Sequence, residues 1–168
     1  MPKTKKPRKA YRPRGVIKDP VGYVLEGMSR VSKDKVLHTL TVHHDAMVRL
    51  TKGQGTVDDW RVVTGSLNMA AVLDEQVYDC AYQDELSEAL KAHGRCGVRH
   101  WNGGNFGYTG PDLQLVNFAL SVHDEQMAKA TVGEIERALA ESERRSRNPK
   151  EHISVRKMAQ QQKEQAIG

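Results

Sequence analysis

The chain has 168 residues, of which 28% are charged and only 5% aromatic, with a formal net charge of +5 and a pI near 9.2. This length suits one domain, and the shortage of aromatics means that its core must be built mostly from Leu, Val, Met and Ala. Two cysteines are too few for a disulfide framework, no stretch approaches the ~20 apolar residues of a membrane span, and no apolar segment follows the basic start; a cytoplasmic protein with no membrane partner is expected.

Residues 1–18 carry Lys3, Lys5, Lys6, Arg8, Lys9, Arg12, Arg14 and Lys18 and no acidic side chain. Pro2, Pro7 and Pro13 favour an extended, flexible arm over an amphipathic helix, and spaced cations on such an arm can track phosphates by releasing counterions. Arg12-Pro13-Arg14-Gly15 resembles, in permuted order, the Arg-Gly-Arg-Pro core of AT-hook motifs, which enter the minor groove. A solvated tail that aids solubility, or an import signal, would have the same composition.

The body reads as helices. Over residues 33–51, Val36, Leu40, His43, Met47 and Leu50 recur at spacings of three and four, and Lys52-Gly53-Gln54-Gly55 supplies turn chemistry. Thr56 sits three residues before Asp59, a start of capping-box type. The stripe Trp60, Val63, Leu67, Ala70, Val77 and Ala81 follows, interrupted by Asp74, and predicts helix to about Lys91, with breaks suggested near Gly65 or Asp79 and Gly94 as a C-terminal cap. Pro111 opens the next helix, with Leu113, Val116, Leu120, His123 and Met127 on one face. Thr131 and Glu134 form a second capping box before Ile135, Ala138 and Leu139. The expectation is an all-α bundle of four to five helices over residues 33–146, with a basic tail over 147–168.

The segment 94–110 reads as a loop, rich in glycine and carrying three of the nine aromatic residues. Trp101, Phe106 and Tyr108 beside Arg95 and Arg99 have the composition of a surface that stacks unpaired bases. A hairpin that tucks its rings against the bundle would look the same. Cys80, His93, Cys96 and His100 could supply four soft zinc ligands, but in a spacing that matches no standard finger. No metal and no other cofactor is expected. His44-Asp45 and His123-Asp124 carry the dipeptide of helical HD-class phosphohydrolases without that family's upstream histidine, and on apolar stripes a hydrogen-bonded core histidine is the commoner role. Val42-His43-His44-Asp45-Ala46-Met47 echoes Val122-His123-Asp124-Glu125-Gln126-Met127, as two similar hairpins would, and as chance would. No phosphate loop, nucleophile elbow or well-formed helix-turn-helix is present, so no enzyme is expected.

Charge organises the remaining inference. Residues 19–143 hold eleven Lys/Arg against nineteen Asp/Glu, and residues 144–168 hold seven against two, beginning with Arg144, Arg145 and Arg147. An acidic body between two basic tails points to a non-enzymatic protein, with a regulatory role in view, that holds the phosphate backbone of DNA or RNA through its tails and self-associates as a homodimer. The alternative is a protein–protein module, such as a phage-type inhibitor or adaptor, that docks its acidic body on a host complex. The Lys6-Pro7-Arg8-Lys9 start, the acidic helical body and the late Thr131-Val132-Gly133-Glu134-Ile135-Glu136-Arg137-Ala138-Leu139 helix resemble small uncharacterised helical proteins of bacterial phages and mobile elements. That resemblance implies a genomic context and no particular activity.

Overall fold

The computed structural model describes residues 19–148. The basic arm with Lys3, Lys5, Lys6, Arg8, Lys9, Arg12 and Arg14, and the chain from 149 onward, lie outside the described residues. Among the described residues six helices run in chain order: α1 (Pro20–Met28), α2 (Lys33–Thr51), α3 (Val57–Val77), α4 (Gln83–Trp101), α5 (Gly110–Lys129) and α6 (Val132–Arg147). There is no strand among the described residues, only an isolated bridge between Arg30 and Thr131. None of the described helices is long and apolar enough to cross a membrane.

Local chemistry accounts for most boundaries. Asp19 caps α1 by accepting the Gly22 amide at 2.9 Å, with proline in the first turn. α2 stops at Lys52-Gly53, where Gly53 takes φ +69°. The capping boxes Thr56–Asp59 and Thr131–Glu134 form as the sequence indicates, opening α3 and α6. Thr109 accepts the Asp112 amide to open α5. Of the two breaks expected in the second helix, Gly65 is passed over and the turn falls at Asp79-Cys80, both left-handed at φ +53° and +58°. Asp74 makes that turn. Its side chain is buried and accepts the Tyr82 amide on both oxygens at 3.2 and 3.1 Å, while its carbonyl accepts from Tyr78 and Cys80.

Two elements differ from the sequence reading. α1 is an additional helix. And α4 does not end at Gly94: it runs through Gly94 and Gly97 to Trp101, which shrinks the expected loop of 94–110 to residues 102–109. The reason is tertiary. Leu86, Ala89, Ala92, His93 and Cys96 continue one buried face past Gly94, and packing of that face outweighs the glycine's preference to end the helix.

α3 is the centre of the molecule and packs against α2, α4, α5 and α6, whereas α1 packs on α6. One core cluster joins Met47 and Leu50 of α2, Val63, Leu67 and Ala70 of α3, Leu86, Ala89 and Cys96 of α4, and Val116 and Leu120 of α5. A second joins Met69, Val72 and Leu73, on another face of α3, to Ala130 and to Ala138 of α6. Among the described residues the buried hydrophobics other than Phe106 are aliphatic, methionine or cysteine, in keeping with the composition.

A Cβ added at Gly65 or Gly94 would meet nothing within 4 Å. Each glycine therefore costs helix stability without a packing return, and Gly65→Ala and Gly94→Ala should each stabilise the fold by about 0.5–1 kcal/mol, read as a higher urea midpoint with an unchanged m value.

Candidate functional site

The residues 102–109 fold inward. Phe106 is 3% exposed and lies 3.9 Å, centroid to centroid, from the His100 ring at 14°. The Arg99 guanidinium donates to the Gly107 carbonyl, and the Gly104 amide donates to Arg99 O at 3.1 Å, so the loop is folded back on the end of α4. Trp101 is half-buried, with its ring 4.8 Å from His100.

His93 holds the centre of this region. It is 1% exposed, stacked on Trp60 at 5.1 Å and 8°, and flanked by Tyr108 at 6.0 Å. Its Nε2 lies 3.0 Å from both the Trp60 carbonyl and the Thr64 hydroxyl, and its Nδ1 lies 2.6 Å from the Tyr108 hydroxyl. A carbonyl only accepts, so Nε2 carries the proton and Nδ1 accepts from Tyr108. Trp60 Nε1 returns a bond to the His93 carbonyl at 3.2 Å. Burial pulls the His93 pKa down to about 4, so the ring is neutral at pH 7. The knot ties α3, α4 and the loop together, and it occupies the rings that would otherwise be offered to a base.

Two helix-start carboxylates do double duty. Asp59 closes its capping box and also receives Arg49 of α2 at 2.9 and 2.6 Å; chiefly because of Arg49, its pKa falls to about 2. Asp112 stands in the same relation to Arg95 of α4, at 3.2 and 2.5 Å. Arg95 is thus spent on a helix junction. The arginines that end α6 are also engaged. Arg144 holds Glu141 at 2.7 Å, Arg145 bridges Glu141 and Glu75, each at 2.8 Å, and Arg147 reaches Glu143 at 2.8 Å. These are exposed pairs at the C-terminal end of α6, individually weak and open to competition from another anion.

The four sulfur and imidazole groups singled out in the sequence do not converge. Cys80 is exposed in the α3–α4 turn, while Cys96 is buried thirteen residues into α4, about 20 Å away at 1.5 Å per residue. Among the described residues no group of three or more His, Cys, Asp or Glu is placed to hold a metal ion.

The echoed segments do meet. His44 of α2 pairs with Asp124 of α5 at 2.8 Å, and the His43 and His123 rings lie 5.3 Å apart. Asp45, the sequence neighbour of His44, is exposed. His123 is 1% exposed and differs from the expected hydrogen-bonded core histidine, because neither ring nitrogen has a partner; His43 Nδ1 and Asp124 Oδ1 are also buried and unpaired. Burial first, then the adjacent His43 and His44, push the His123 pKa down to about 3. The sequence carried a signal for this contact in the repeated Val-His, but nothing in it said that the two copies would touch.

No protein-family model matches this chain, and no curated protein or solved structure matches it either.

Tyr108→Phe leaves His93 Nδ1 unpaired and should cost about 1–3 kcal/mol in equilibrium unfolding. His93 and His123 titrate near 6.5 when unfolded but near 4 and 3 when folded, so the unfolded chain binds more protons between those values. Stability should therefore be complete above pH 6.5 and fall as pH drops toward 4, by about 1.4 kcal/mol per unit for each histidine. His123→Leu should remove one histidine's share of that slope in urea titrations between pH 7 and 4.

Proposed function

We propose that this protein is a non-enzymatic nucleic-acid-associated protein of the cytoplasm, in which the basic arm holds phosphate and the helical body carries the arm without reading sequence. The observation that carries this reading is the charge partition. Residues 1–18 hold eight cations and no acid, whereas residues 19–148 hold fourteen Lys/Arg against nineteen Asp/Glu. An acidic body repels a polyanion, and with Arg95 tied to Asp112 and Phe106 buried it has little to offer a base, so affinity falls to the arm. One feature of the fold favours the α6 arginines as a second contact. Ser29 O accepts from Val132 N, so α1 and α6 diverge from a shared joint and run antiparallel along a common groove. Asp19, where the arm joins, and Arg144, Arg145 and Arg147 therefore sit toward one end of that helix pair.

Deleting residues 1–14 removes seven cations. In gel shifts on single- and double-stranded probes, the deletion should weaken binding by about two orders of magnitude or more at low salt and flatten a salt slope worth about 0.9 per phosphate contact on a duplex. Unchanged binding would overturn the reading.

A protein–protein module is the second reading. It is favoured by exposed apolar side chains, among them the edge-packed Tyr82 and Phe118, 40% and 41% exposed with centroids 5.8 Å apart. A complex that survives nuclease treatment and removal of the arm would establish it over the first.

A further inference from the structure

α1 shows solvent an apolar stripe. Val21, Val24, Leu25 and Met28 fall at the i, i+3, i+4 and i+7 positions of one face and are 70%, 57%, 63% and 70% exposed. The side of α1 turned to α6 is different in kind. There Gly27 lies against Gly133, and a Cβ on Gly133 would come within 2.9 Å of the Gly27 carbonyl. Backbone fastens this helix to the body, and Tyr23, Val24 and Met28 flank that seam along a groove of about 750 Å³ that Thr131, Glu134 and Arg137 of the α6 side help to line, while Val21 and Leu25 lie outside it.

We propose that this stripe is the contact between two copies of the chain, which pair α1 against α1 in antiparallel fashion about a twofold axis near Val24 and Leu25. Three observations favour a second copy. The first is area. At those exposures the four stripe residues present about 450 Å², inside the range of the largest patch a monomer leaves bare, and pairing two copies removes about 900 Å², more than most lattice contacts and at the low end of specific interfaces. The second is complementarity. The stripe carries no charge, and Glu26, the one charged residue of α1, projects well away from it on the helical wheel, so the face suits itself. The third is the arm. A polyanion held by residues 1–18 cannot cover an apolar face, and antiparallel pairing sends two arms of charge +8 from opposite ends of the joined helices, whereas parallel pairing would force them out together. The pairing does not depend on the nucleic-acid reading. Where both hold, each dimer carries two arms, and avidity follows without any new contact.

The test is sedimentation equilibrium on the full chain, nuclease-treated and at high salt, so that no bound nucleic acid bridges the arms. A dimer is expected, and Val24→Glu or Leu25→Glu should each raise its dissociation constant by about 100-fold, since each buries an unpaired carboxylate. Phe118→Glu, on α5, should leave the constant unchanged, and circular dichroism should show the same helix content in all variants. In a Cys80→Ser background, Leu25→Cys should oxidise to a covalent dimer, while Val21→Cys, which faces Met28 of the other copy, should not. A chain that stays monomeric at about 100 μM, a dimer indifferent to both Glu variants, or equal cross-linking at 21 and 25 would overturn the proposal. Loss of dimer with intact gel shifts, or the converse, separates this interface from the arm's role.

Discussion

Everything in this bundle rests on burying α3 on more than one side. α3 packs against four other helices, and Val63, Leu67 and Ala70 on one side with Met69, Val72 and Leu73 on another leave only a narrow strip, Arg61, Thr64, Gly65 and Asn68, open to solvent along its middle. The acidic residues that α3 does bury are confined to its ends, and each is used there. Asp59 closes the start of the helix and receives Arg49; Asp74 closes the turn that follows. Burial alone would raise both carboxyl pKa values. Arg49 overcomes that for Asp59, whereas Asp74, with only the Tyr82 amide to offset it, remains raised. Two carboxylates in one helix thus end with opposite shifts because one has a cation and the other does not.

The two deeply buried histidines make a similar contrast. His93 has all its hydrogen-bonding capacity met and serves as the pin of the α3–α4–loop junction. His123 has none of it met, and its desolvation is a debit against folding of about 1–3 kcal/mol. The pin explains why a glycine-rich segment holds one shape: Tyr108 is fixed by His93, Phe106 by His100, and Gly107 by Arg99.

The parts of this structure that were legible in the sequence are those written in local chemistry. Thr56 with Asp59, Thr131 with Glu134, Pro111 and the stripes of α2 and α5 need only neighbours within a turn or two, and they are where the pattern puts them. The errors arise where distant packing decides. Gly94 has the local chemistry of a stop, but the buried face from Leu86 to Cys96 carries α4 past it. α1 is short, holds two glycines and has no polar stripe, so it lacks the amphipathic alternation that marks a helix; only Asp19-Pro20 announces it. Phe106 and Tyr108 read as a surface for bases because composition cannot say which way a ring points. The charge partition, in contrast, needs no fold to be read, and it still carries most of the functional argument.

The seam between Gly27 and Gly133 has a mechanical consequence. Backbone against backbone, with one amide-to-carbonyl bond at Val132, buries little apolar surface, so lifting α1 would leave both core clusters intact. The bundle and its first helix are therefore separate cooperative units. Among the described helices of an isolated chain, α1 opens first and its amides exchange fastest, so that within residues 19–148 a protease would find its earliest cut between Asp19 and Ser32.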